Sequence, residues 1–185
     1  MVAIMAIKVH GKDSHAGRSI YNGLTFSAVG TAYYSNEEKH SLSLIGGLTF
    51  FLVGHLYYIS GFNHSSTRKF ASSWSSWIIP ISTYFGVFSI IIQFILPSTP
   101  FEWIVPVFLY GTVVATVFWK AIDASLATGH AESVLGALVL AISDFILGYS
   151  QFVGPIKNGQ LLFMVTFYLS QILISKFALN NKLLY

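Results

Sequence analysis

The chain reads as an all-α polytopic membrane protein, a bundle of about six transmembrane helices, and three observations lead there. Hydrophobic residues make up 54% of the 185 positions and charged residues only 9%. An ordinary soluble domain carries about 25% charged residues, so this chain cannot cover a water-facing surface. The mean hydropathy is +0.66. Apolar stretches follow one another between short polar or proline-containing turns, each long enough to cross a hydrocarbon core about 30 Å thick as a helix.

Residues 1–17 form an N-terminal segment in which Met1 to Val9 is apolar and His10 to Gly17 polar. The apolar part is too short for a signal peptide's core followed by a cleavage site, so no removable targeting segment is expected. Span one covers about residues 18–35, with Gly23, Ser27 and Gly30 on one helix face. Small residues at that spacing let two membrane helices approach closely. The polar run Asn36 to His40 ends it. Span two covers about residues 42–62 and contains Gly46, Gly47 and Gly54. After a loop holding Arg68 and Lys69, span three covers about residues 74–96, with Trp74 and Trp77 as interfacial anchors.

Pro97-Ser98-Thr99-Pro100 reads as a tight non-helical turn, because proline lacks the amide hydrogen and biases its predecessor away from helix. Span four covers about residues 101–121, with Trp103 and Trp119 at its ends and Pro106 in its first turns, where a missing donor does least harm. Span five covers about residues 132–150, and a Gly154-Pro155 loop leads to span six, about residues 160–179. Residues 18–179 thus form one transmembrane domain and residues 180–185 a short tail.

The ten Lys and Arg residues are scattered singly at span ends, so a formal charge of +3 does not point to nucleic acid. With six spans, Lys8, Lys12, Arg18, Arg68, Lys69, Lys120, Lys176 and Lys182 fall on one side, and only Lys39 and Lys157 on the other. By the positive-inside rule both termini are expected in the cytoplasm. Without cysteine there is no disulfide, no thiolate metal site and no thiol nucleophile. The loop histidines His10, His15, His40, His64 and His130 lack ligands at zinc spacing, and neither a Gly-x-Ser-x-Gly elbow nor a phosphate-cradling glycine loop occurs. No metal and no cofactor is expected.

What remains is a set of polar groups inside the spans. Asp144 is the only aspartate within the spans so drawn, and a charged side chain at mid-bilayer costs roughly 3 kcal/mol on insertion scales. Helix rise puts it roughly 18 Å along span five. Thr31 lies at a similar depth in span one, Tyr110 near the middle of span four, and His55 and Gln171 somewhat to the cytoplasmic side. His55 and Tyr58 share a helix face, as do Tyr168 and Gln171. A polar pocket near mid-bilayer lined by Asp144, His55, Tyr58, Tyr110, Tyr168 and Gln171 is therefore expected. Interhelical hydrogen bonding, at roughly 0.6 kcal/mol each, accounts for single members such as Tyr110, Tyr168 and Gln171. A carboxyl in a low-dielectric pocket does more: it can deliver and take up a proton, in acid/base catalysis or in a relay.

Five strings carry a family resemblance: Gly23-Leu24-Thr25-Phe26-Ser27-Ala28-Val29-Gly30, then Gly54-His55-Leu56-Tyr57-Tyr58, then Tyr110-Gly111, then Gly136 through Ser143-Asp144, then Tyr168-Leu169-Ser170-Gln171-Ile172-Leu173-Ile174. In order and spacing they resemble the lysoplasmalogenase (YhhN-like) family of integral membrane proteins, over about residues 20–175. The resemblance implies a hydrolase that cleaves the vinyl ether bond of lysoplasmalogens, alkenyl-glycerophosphoethanolamine or -choline, to a fatty aldehyde and a glycerophospho-alcohol. That reaction needs a proton on the alkenyl carbon and water on the resulting oxocarbenium ion, which is work for a carboxyl acid and a base. Asp144 and His55 are then the expected catalytic residues, with Tyr58, Tyr110, Ser143, Tyr168, Gln171, Ser27 and Thr31 in substrate binding or support. The expected partners are a lysophospholipid substrate, the lipid bilayer and, in a homodimer, a second copy. In a eukaryote the expected site is the endoplasmic reticulum membrane.

Two departures from the family pattern stand out. The family carries Ser-x-x-Gly-Asp at the end of the corresponding span, where the aspartate is its second proposed acid, and here Ser27-Ala28-Val29-Gly30 is followed by Thr31. A threonine can hydrogen-bond a water but cannot exchange a proton at neutral pH, which leaves His55 as the substitute base. The family also usually has eight spans, so Met1 to Val9 looks like the remnant of a lost one. Three readings stay open: the hydrolase, a catalytically silent member that binds lysophospholipid or scaffolds membrane proteins, and a small transporter in which Asp144 carries protons.

Overall fold

Helix-forming apolar runs separated by polar breaks fold here into six helices, as a computed structural model shows for residues 15–34, 41–66 and 75–180. They are α1 (His15–Tyr34), α2 (Ser41–Ser65), α3 (Ser75–Ile90), α4 (Phe101–Thr128), α5 (Glu132–Phe152) and α6 (Gly159–Asn180). No strand occurs among the described residues. Five segments, Ile45–Ser65, Trp77–Ser98, Phe101–Thr128, Glu132–Phe152 and Gly159–Asn180, are long and apolar enough to cross a membrane. The fold is the polytopic helical bundle expected. The polar run 36–40, the Arg68/Lys69 loop with Trp74, residues 1–14 of the N-terminal segment and residues 181–185 of the tail lie outside the described residues.

The first helix differs from a lone span. α1 falls short of the length-and-apolarity measure the other five meet, and its Ser27 and Thr31 are buried. Packing shields its polar groups, so it needs less apolar surface. α1 lies along α2 in the most extensive helix contact of the molecule. Glycines make that approach possible: a Cβ added at Gly54 would come within 2.7 Å of Ser27 Oγ, one at Gly30 within 2.9 Å of Phe51, and one at Gly61 within 2.6 Å of Ile20. In a bilayer the lipid tails are as apolar as leucine, so close van der Waals contact of this kind is what holds helices together.

Two expected boundaries move. α3 runs on through a π-helical turn, Ile91–Ile95, and a 3-10 turn, Leu96–Ser98. Pro97 is thus accommodated at the start of a turn, where its missing N–H has no helical partner to lose, and only Thr99 and Pro100 leave helical geometry. α4 continues to Thr128 and stops at Gly129, whose φ of 76° is the left-handed conformation a side chain resists. Lys120 therefore lies within a helix rather than in a loop. Asp123, 2% exposed, becomes a second aspartate inside the spanning helices, which corrects the expectation that Asp144 stands alone there. Lys120 Nζ lies 3.7 Å from Asp123 Oδ2.

The core is built from α1, α2, α4, α5 and α6, with Leu24, Phe51, Phe62, Val117, Leu140, Phe163, Phe167, Ile174 and Phe177 among its members, and among the described residues α3 contributes none. α3 packs on α4, and its π-helical turn reaches α5, but no extensive contact joins it to α2. That gap positions the site.

Candidate functional site

His55 follows Gly54 in α2, and both of its ring nitrogens are engaged. Nδ1 lies 2.6 Å from the carbonyl oxygen of Phe51, one helical turn back. A carbonyl can only accept, so Nδ1 carries a hydrogen. Nε2 lies 2.9 Å from Asp144 Oδ2 on α5. With Nδ1 committed, the Nε2–Oδ2 contact holds a single proton: it sits either on Nε2, giving imidazolium and carboxylate, or on Oδ2, giving a neutral pair. Either way the pair is neutral overall, which is what its place in the bundle requires, since an unpaired buried charge is very costly. Tyr110 on α4 donates its hydroxyl to Asp144 Oδ1 at 3.1 Å, so both carboxylate oxygens are bonded. His55 is 1% exposed and the Asp144 side chain 8%.

The single pocket expected from the sequence divides into two hydrogen-bonded groups, which meet where the His55 and Tyr58 rings lie 6.3 Å apart. Beside the His55–Asp144–Tyr110 group, Ser27, Tyr58, Gln171 and Ser170 form a fully buried network. Ser27 Oγ and the Tyr58 hydroxyl are 3.2 Å apart, Tyr58 donates to Gln171 Oε1, and Gln171 Nε2 donates to Ser170 Oγ at 3.2 Å. Thr31 donates back to the Ser27 carbonyl of its own helix at 2.9 Å. Ser143 donates to the Phe163 carbonyl at 3.4 Å. Tyr168 packs edge-on against Phe167, with ring centroids 5.8 Å apart, and belongs to neither group.

A cavity of about 1310 Å³ lies between α2, α3, α4 and α5, and of the expected site residues Tyr110 and Asp144 line it. Its other walls are mostly apolar, with Leu52, Gly86, Ile91, Phe94, Val114 and Leu138 among them. The carboxylate of the His55–Asp144 pair thus borders hydrocarbon-lined space with room for a long apolar chain. Among the described residues no group of three or more His, Asp or Glu could hold a metal ion.

Some of this was out of reach of sequence reasoning. The Phe51 carbonyl that orients His55 is a one-turn relation in α2 and so carried a signal. The pairing of Tyr58 with Gln171, and the convergence of Glu102, Trp103, Tyr149 and Phe152 on one cavity, depend on packing between different helices.

The human protein "Lysoplasmalogenase TMEM86B" is 28% identical over 93 residues, 50% of this chain and 37% of the human one. The pig protein of the same name is 33% identical over 66 residues, 36% of this chain and 27% of its own. The matched stretches thus span about a third of those relatives. No solved structure gives a significant match. The pattern that defines the YhhN family matches residues 1–177, which takes in both hydrogen-bonded groups and the cavity, and the chain belongs to that family.

Proposed function

We propose that the protein is a lysoplasmalogenase-like hydrolase that cleaves the vinyl ether bond of a lysoplasmalogen. The observation that carries this reading is the 2.9 Å contact of His55 Nε2 with Asp144 Oδ2 at the wall of an apolar cavity. Family membership and the names of the relatives support it. Asp144 delivers the shared proton to the alkenyl carbon distal to the ether oxygen, which leaves an oxocarbenium ion and a carboxylate steadied by the Tyr110 hydroxyl. Water adds to the carbon bearing the oxygen and gives its proton back to the Asp144–His55 pair. The hemiacetal hydroxyl then gives up its proton, the glycerol oxygen takes one up, and the carbon–oxygen bond to the glycerol breaks, releasing a fatty aldehyde and a free glycerol hydroxyl. One water is consumed and the pair is restored. The distribution of basic residues supports a bundle with both termini in the cytoplasm.

Release of aldehyde from lysoplasmalogen by the purified full chain tests the reading, and absence of turnover would sink it. A second reading, a silent member that binds lysophospholipid, draws on Thr31, whose hydroxyl is bonded to its own helix and supplies no acid. The Thr31→Asp variant separates the two. A rate above wild type means that a second carboxyl was limiting. Lipid binding without aldehyde in both forms favours the silent member.

A further inference from the structure

One end of the cavity is ringed by aromatic side chains and a carboxylate. Glu102 and Trp103 stand in the first turn of α4, Tyr149 and Phe152 in the last turn of α5, and all four line the cavity. The Trp103 and Phe152 rings lie 5.8 Å apart at 55°, and Tyr149 lies 5.9 Å from Phe145. The charged groups on the cavity wall are Glu102 and Asp144, and no Lys or Arg is among its lining residues. Asp144 is engaged with His55, whereas Glu102 enters no ion pair among the described residues.

Each residue has an ordinary explanation on its own. Aromatics gather at membrane interfaces, and an acidic side chain in a first turn complements the helix dipole. Neither explains why they converge on the cavity that leads to the acid/base pair. A carboxylate beside aromatic faces is the chemistry that takes up an ammonium group, primary or quaternary.

The spacing fits the same ligand. Glu102 to Tyr110 and Phe152 to Asp144 are each about 12 Å along their helices. From the ammonium nitrogen of an ethanolamine or choline headgroup, through phosphate and glycerol, to the sn-1 oxygen is roughly 11 Å when extended, taking about 3.5 Å for every three bonds. The geometry points to this end of the cavity as an ammonium subsite for a zwitterionic one-chain phospholipid: headgroup at Glu102, Trp103, Tyr149 and Phe152, sn-1 oxygen at Asp144, hydrocarbon chain toward Val114 and Leu138. The placement of the reacting bond rests on the hydrolase reading, but headgroup binding requires no turnover.

The test uses non-cleavable acyl lysolipids on the full chain in nanodiscs, with binding read by displacement of a fluorescent lysolipid and aldehyde release from lysoplasmalogen measured alongside. Lysophosphatidylcholine and lysophosphatidylethanolamine are expected to bind about tenfold more tightly than lysophosphatidylglycerol, which has no cation. Glu102→Gln should bring the three within about twofold while leaving lysophosphatidylglycerol unchanged, so that lipid also reports folding. Trp103→Leu should weaken the choline lipid more than the ethanolamine lipid. Equal affinities for all three lipids in the wild type, or an equal loss for all three in Glu102→Gln, overturns the subsite. Headgroup discrimination without aldehyde release keeps the subsite and defeats the hydrolase reading, and aldehyde release without discrimination does the reverse.

Discussion

The two sides of α2 are packed in opposite ways. Toward α1 the backbones nearly touch, and the polar groups there, Ser27, Tyr58, Gln171 and Ser170, satisfy one another in a buried network. Toward α3 contact is sparse and a cavity takes its place. His55 bridges the two, held by the Phe51 carbonyl of its own helix and reaching Asp144 at the cavity wall. In a bilayer both sides are apolar, so hydrophobicity does not distinguish them. Packing density does: the dense side fixes the imidazole, and the open side leaves the carboxylate one face that a substrate can address.

The largest expected effect comes from the open side. In Asp144→Asn the amide can still donate to a neutral His55 Nε2 and accept from Tyr110, so the bundle should fold, but no proton can be exchanged. Aldehyde release is expected to fall about 10³-fold, read in an aldehyde-dehydrogenase-coupled assay, with the thermal midpoint nearly unchanged. Full turnover by this variant would show that the open side is not where the chemistry happens.

Two glycines on opposite sides of the divide sharpen the contrast. At Gly54 an added Cβ comes within 2.7 Å of Ser27 Oγ, whereas at Gly86 it meets nothing within 4 Å. Gly54→Leu should destabilise the bundle by about 3 kcal/mol through overpacking, visible as a lowered melting midpoint in detergent. Gly86→Leu should be neutral or stabilising by up to about 1 kcal/mol, because leucine is the better helix former. Its side chain would also fill cavity space, so KM for a long-chain substrate should rise severalfold. Equal melting shifts would mean that the two sides are not packed differently.

The same divide explains what was legible in the sequence. Helix existence and the small-residue face of Gly23, Ser27 and Gly30 are local patterns, and the structure puts that face against α2. Depth along a helix is local too, which is why chain position alone puts Asp144 and Tyr110 near mid-bilayer and His55 somewhat to the cytoplasmic side. Azimuth is not local for weakly amphipathic helices in lipid: depth and shared helix faces group Tyr58 and Gln171 with Asp144, yet the Tyr58 hydroxyl bonds Ser27 and Gln171 instead. Asp123 was missed because the helix end at Gly129 is marked by one residue's left-handed conformation. The cavity had no signal at all, since it arises from the sparse contact of α3 with α2.

The smallest effect singles out one hydrogen bond. Tyr110→Phe removes the donor to Asp144 Oδ1 but keeps the ring, whose centroid lies 5.5 Å from that of His55, so packing is conserved. A hydrogen bond to a charged acceptor is worth about 1.5 kcal/mol at the low end, and one to a neutral acceptor less. The bond therefore strengthens as Asp144 gives up its proton and becomes a carboxylate. An interaction that is stronger after proton transfer than before acts on the barrier, not on substrate affinity. The expected outcome is a kcat roughly tenfold lower with KM little changed. A rise in KM at constant kcat would mean instead that Tyr110 holds the lipid and that the carboxylate develops its charge without it.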